Sequence, residues 1–171
     1  MSRIPEKVAT REAFCAGVFA AMVRLYGEPG VGALCLEAQE AHNVDVPSLL
    51  FFVLADYAGH GAVNGDMQRL LAGGADWRSL YVLPLHNLRL ALRRNRKASD
   101  NELYEKIKGA ELEAERLQVE RLADHFRPLE GPCGLAARYL AGISIPEPEA
   151  QALLDQLQDA TNAMHCRLPT S

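Results

Sequence analysis

Apolar residues recur along this chain at the spacing of helices and not of strands. From Arg11 to Tyr26 the positions Phe14, Val18, Ala21, Met22 and Leu25 fall three or four residues apart, on one helical face. Thr10 suits the cap before this helix, and Gly27-Glu28-Pro29-Gly30 ends it, because proline has no amide proton to donate. A second helix is predicted from about Val31 to His42, with Val31, Leu34, Cys35 and Ala38 inward. Asn43 suits the left-handed position that closes it. Asp45-Val46-Pro47 then reads as a helix start, with Asp45 as cap and proline in the first turn.

From Leu49 to Ala55 every residue is apolar. A helix greasy on all sides belongs in the centre of a core or inside a membrane. A span needs roughly 20 apolar residues, and Asp56 interrupts this run. The segment is read as the buried middle helix of a soluble domain, with no membrane span.

Beyond it, a short helix with Met67, Leu70 and Leu71 is expected to stop at Gly73-Gly74. Asp76 then caps a longer helix from Trp77 to about Lys97, with Trp77, Leu80, Tyr81, Pro84, Leu85, Leu88, Ala91 and Leu92 turned inward. Arg89, Arg93 and Arg96 fall on its outer face. Pro84 removes the hydrogen bond to the Leu80 carbonyl, so a kink is predicted there. Ala98-Ser99-Asp100 leads directly into a helix from about Asn101 to Phe126, striped by Leu103, Ile107, Ala110, Ala114 and Leu117. So short a connection between long helices makes an antiparallel hairpin. A short helix from Cys133 to Ala141 follows, then a last amphipathic helix with Ala152, Leu153, Leu157, Ala160 and Met164.

The fold class is therefore all-α: a single-domain helical bundle of about six to eight helices with a long antiparallel hairpin. The domain is placed at 11–165, between an N-terminal arm (1–10) and a C-terminal tail (166–171).

Composition narrows the function classes. Of 171 residues, 49% are apolar and 23% charged, as in soluble globular proteins. A net charge of −4 argues against a general nucleic-acid binder. Arg3, Glu6, Lys7 and Arg11 break up the first residues, so no secretory leader is read and a cytoplasmic location is expected. Cys15, Cys35, Cys133 and Cys166 show no Cys-x-x-Cys spacing, and neither a metal site nor a cofactor is expected.

Candidate chemistry is sparse. Arg89, Arg93, Arg94, Arg96 and Lys97 precede the hairpin turn, while Glu102, Glu105, Glu111, Glu113 and Glu115 follow it. An antiparallel hairpin brings these runs side by side, which favours interhelical ion pairs, with local pairs such as Glu102–Lys106, over a phosphate-binding patch. Asp56 and His60 at i, i+4 form a candidate acid–base or metal pair, although a loop or capping histidine is the simpler reading. His86 beside Pro84 is read as a partner for a freed carbonyl. Gly27, Gly30 and Gly32 follow a helix and precede no lysine, unlike a nucleotide cradle. Cys15 and Cys35 read as buried thiols, and Cys133 at a helix start as a weak candidate for a reactive one.

One pattern is more specific. Leu25-Tyr26-x-x-Pro29-Gly30-Val31, then Cys35-Leu36-x-x-Gln39-Glu40, then Asp45-Val46-x-x-Leu49-Leu50-Phe51 resembles the opening signature of a small proteobacterial family, a conserved domain of unknown function. Trp77, Val82-x-Pro84-Leu85-x-x-Leu88-Arg89 and Glu111-Leu112-Glu113-Ala114-Glu115-Arg116 continue it, over about residues 12 to 122. Pro47 stands where that family usually has asparagine, and Ala55-Asp56-Tyr57 where it carries a tryptophan. The resemblance implies an all-helical cytoplasmic bacterial protein, with no established reaction and no catalytic residues to carry over.

Three functional readings follow. The first is a non-enzymatic helical domain that binds another protein or forms a homo-oligomer. The second is a bundle holding a small apolar ligand near Trp77, Tyr81 and His86, with Phe51 and Tyr57. The third is an enzyme using Asp56 with His60, or Arg89 with Glu111 and Glu115. No catalytic residue is assigned, and Trp77, Tyr81, His86, Arg89, Glu111 and Glu115 stand as candidate ligand-binding residues.

Overall fold

Local capping chemistry sets the first three helices. In α1 (Arg11–Tyr26) the Thr10 hydroxyl accepts from the Ala13 amide at 3.2 Å, and Phe14, Val18, Met22 and Leu25 are buried. Gly30, at φ 82°, opens α2 (Val31–His42), and Asn43, at φ 53°, closes it by donating its amide to the Gln39 carbonyl. Asp45 precedes α3 (Val46–Tyr57), with Pro47 in the first turn. Its carboxylate accepts from the Ser48 hydroxyl and not from a helix amide, a side-chain variant of the cap expected there. The computed structural model describes residues 10–62, 64–95, 97–128 and 134–166. The N-terminal arm before Thr10, Arg96, Cys133 and the tail after Cys166 lie outside the described residues.

The chain divides into two compact units, Met1–Met67 with Arg127–Ser171, and Gln68–Phe126. In the first, α7 (Leu135–Gly142) and α8 (Glu147–Cys166) join the three N-terminal helices. The α3 helix contacts α1, α7 and α8, and every residue from Leu49 to Ala55 is buried. Phe51 meets Phe14 and Phe52 edge to face, at centroid distances of 5.5 and 5.8 Å, and Phe52 leans on Tyr139 at 5.7 Å. The Tyr139 hydroxyl accepts from the Asp45 amide at 2.8 Å, which ties α7 to the start of α3. The α8 helix buries Leu153, Leu157 and Met164, as its periodicity predicts.

The second unit is the hairpin, and here the structure corrects three expectations. Gly73-Gly74 does not stop a helix and Asp76 does not cap one: α4 (Asn64–Trp77) runs through both. It continues as a π-helical turn (Arg78–Val82) into α5 (Leu83–Asn95). Gly74 is buried, and a Cβ there would lie 3.7 Å from Leu122 and 3.9 Å from Gln118, ordinary contact distances. The disruption expected at Pro84 takes the form of that π turn. The Leu83 amide donates to the Arg78 carbonyl five residues back, and the widened turn ends immediately before the residue with no amide to give. A 3₁₀ turn (Ala98–Asp100) follows, in which the Lys97 amide donates to Asp100 at 3.0 Å, and α6 (Asn101–His125) returns alongside α5.

The third correction concerns which faces are covered. Val82 is buried, but Leu80, Tyr81 and Leu88 are 66%, 47% and 46% exposed, and Pro84 and Ala91 are exposed too. Much of the stripe expected to point inward points out. On α6 the buried set is Glu111, Ala114, Gln118, Val119, Leu122 and Ala123, while Leu103 and Ala110 are exposed. Gly73, exposed and helical with open space around its Cα, tests the continuous helix: Gly73→Ala is expected to stabilise by about 0.5–1 kcal/mol in chemical denaturation. A turn at that glycine would give a loss instead.

Candidate functional site

The hairpin seam collects the charged residues the sequence singled out. Glu111 is buried at the centre of α6, its side chain only 7% exposed. The His86 Nδ1 lies 2.8 Å from Glu111 Oε1 and donates to it. Arg89 grips the same carboxylate as a fork, through Nε to Oε2 and through Nη2 to Oε1 at 3.2 Å. Arg89 thus faces inward, 19% exposed, and not outward as its position in the stripe suggests. The Glu111 hydrogen bond holds its guanidinium pKa above the usual arginine value, with Tyr104 adding to the effect. His86 bonds this carboxylate rather than a carbonyl freed by Pro84.

This geometry does one thing well. A bidentate arginine–carboxylate pair with a histidine on one oxygen satisfies most of the acceptor capacity of Glu111. The arginine's charge is spent inside the hairpin, so the cluster pins α5 to α6. Glu115 stands one turn further on, half-buried and engaged within the chain.

Other acidic residues of this run pair locally, as expected for Glu102 with Lys106. Glu102 pairs with Lys106, Glu105 with Lys108, and Glu113 and Glu120 with Arg116, all along α6 itself. The Arg116 hydrogen bond holds the Glu113 carboxyl below the usual carboxylate range. Arg93, Arg94 and Lys97 are exposed at the end of α5 and beyond.

Trp77 is also tied to α6. Its indole Nε1–H donates to the Ala114 carbonyl at 2.9 Å, Tyr81 lies 4.2 Å from it centroid to centroid, and the Arg121 guanidinium sits 3.7 Å over the ring. Phe51 and Tyr57 belong to the other unit. Phe51 is fully buried among aromatic rings, and Tyr57 stacks on His165 of α8 at 4.2 Å.

Asp56 and His60 do not form the pair their spacing suggests. The α3 helix ends at Tyr57 and Gly59 takes φ 78°, so His60 sits beyond the helix, edge-on to Phe14 at 5.2 Å. Burial pushes the His60 pKa below its ordinary value. Asp56 instead receives the amides of Gly134, Leu135 and Ala136 at 2.7, 2.8 and 3.0 Å. A carboxylate from α3 thus caps α7 across 80 residues of sequence, satisfying amides that a helix start leaves orphaned. One turn on, Arg138 donates to the Ala62 carbonyl at 2.5 Å. This long-range cap left no local signal: Asp56 lies at the end of its own helix, where a capping carboxylate has no local use.

Cys35 is fully buried and burial pushes its thiol up to about 12, which suits packing and not nucleophilic chemistry. Cys15 is only half-buried. Among the described residues no group of three or more His, Cys, Asp or Glu side chains could hold a metal ion, and no helix is long and apolar enough to cross a membrane.

The fold and its polar contacts define an all-helical protein in which the buried charged groups fasten helix to helix. The chain belongs to the family described as "Protein of unknown function (DUF2390)", whose match covers residues 18–122. That range takes in most of α1, all of α2 to α5 and most of α6. No curated protein and no solved structure shows a significant match.

The pinning role of Glu111 has a measurable consequence. Glu111→Ala leaves Arg89 and His86 without their shared acceptor, and is expected to cost on the order of 2–3 kcal/mol in chemical denaturation, because Arg89 keeps some contact with water. Lys106→Ala, which breaks an exposed pair of α6, is expected to leave the denaturation midpoint unchanged.

Proposed function

We propose that this chain is a helical interaction domain that acts by binding protein, through the apolar residues its hairpin turns outward. The observation that carries the reading is the exposed series Tyr81, Pro84, Leu88 and Ala91, spaced i, i+3, i+7 and i+10, with Leu80 beside it. This is the spacing a helix uses to meet another helix. Of seven large apolar side chains exposed among the described residues, five lie in the hairpin: Leu80, Tyr81, Leu88, Leu103 and Leu112. Single exposed apolar residues are ordinary, whereas a row of them along one helix marks a contact surface.

The charged cluster supports the same reading from the other side. Arg89, Glu111 and His86 spend their hydrogen bonds on each other, so they hold the surface in shape. Trp77, with its indole proton given to Ala114 and Arg121 over its face, reinforces the base of that surface.

Position-resolved photocrosslinking in the cells that make the protein tests this. A photoreactive side chain at position 88 is expected to trap protein adducts whose crosslinked peptide is an apolar helical segment, and Leu80→Glu is expected to abolish them. The same probe at position 112, exposed elsewhere on α6, is expected to trap none of these adducts. No adduct at 88, or identical adducts at both positions, would overturn the proposal.

A further inference from the structure

The geometry points to a second copy of this chain as the occupant of the outward face, with the two α5 helices antiparallel about a two-fold axis near His86; this inference rests on the interaction reading above. Two features argue for it. Along the face, large and small side chains alternate: Tyr81, Pro84, Leu88, Ala91. In an antiparallel pairing whose facing residue numbers sum to the same value, Tyr81 meets the partner's Ala91, and Pro84 meets the partner's Leu88. Leu80 meets the partner's Leu92 in the same register. Within the row Tyr81 and Leu88 thus each find a small side chain opposite, the condition for two helix surfaces to interdigitate, and the Leu80–Leu92 contacts flank it. A parallel pairing would set Tyr81 against the partner's Tyr81 and Ala91 against the partner's Ala91, leaving collision at one end and a gap at the other.

The second feature is charge. Asp76 precedes Tyr81 by five residues, at the N-terminal side of this face, and Arg94 follows Ala91 by three. Both are exposed, and neither makes an ion pair with another described residue. Arg78, two residues after Asp76, is already engaged within the chain. The antiparallel register brings Asp76 within two residues of the partner's Arg94, about 3 Å along the axis. The same contact recurs at the other end by symmetry. An isologous interface needs a face that complements itself, and this one does so in both shape and charge.

Light scattering coupled to size-exclusion chromatography, on the full chain over a concentration series up to about 0.5 mM, reads the result. The wild type is expected to shift from monomer to dimer mass as concentration rises. Leu88→Glu should raise the dissociation constant roughly 30-fold or more, as loss of a central anchor does. Leu88→Ala, which cannot unfold an exposed site by burying charge, should weaken it in the same direction. Leu112→Glu should leave the dimer intact. Asp76→Arg and Arg94→Asp should each weaken the dimer several-fold, and the double variant should recover it, because the swap restores both contacts.

A wild type that stays monomeric across the series overturns the second-copy inference, while crosslinked adducts to another protein at position 88 would leave the interaction reading standing. A dimer untouched by Leu88→Glu overturns the assignment of the face. A dimer weakened by both single charge reversals but not recovered by the double variant overturns the antiparallel register.

Discussion

A helix with no polar side cannot face water anywhere along its length. Leu49 to Ala55 imposes that constraint on this chain, and its own unit is arranged to meet it. The α1, α7 and α8 helices pack against α3, and aromatic rings from α1 and α7 close around Phe51 and Phe52. Burying two phenylalanines and three leucines is worth roughly 1.5–3 kcal/mol each against leaving them exposed. A shell of helices must stay together for that gain to be realised. Asp56 and Tyr139 supply the polar fastening: one caps the start of α7, the other accepts the amide that precedes α3.

The hairpin solves a different problem. Two paired helices can shield only the faces they turn toward each other, and here that seam includes a charged residue. Glu111 is buried at a cost that Arg89 and His86 offset by filling its acceptor sites. Fixing α5 and α6 at this one point, together with the Trp77 indole bond, sets which side of α5 looks out. The outward apolar row is thus a consequence of where the polar pin sits.

Most of the helix plan was legible from local rules. Thr10, Gly30, Asn43 and Pro47 each act within a few residues, so the sequence around them carries the whole signal. The central place of α3 was legible for a similar reason, since seven apolar residues in a row leave no polar face. The continuous α4 was not, because Gly73 and Gly74 lower helix propensity without forbidding helix, and tertiary context decided. The outward face of α5 was misread because periodicity shows that a face is apolar but not what lies against it. Arg89 and Glu111 were singled out from charge pattern, yet their burial follows from the hairpin's pairing, and the reach of Asp56 to α7 depends on contacts far apart in the chain.

Native-state amide hydrogen exchange measures the central constraint most directly. If the all-apolar helix is the hub of its unit, the amides of Leu50 to Leu54 exchange only through global unfolding and are the slowest in the chain. Exchange of those amides as fast as that of α6 around Leu103 would show that α3 opens on its own, and would contradict the account.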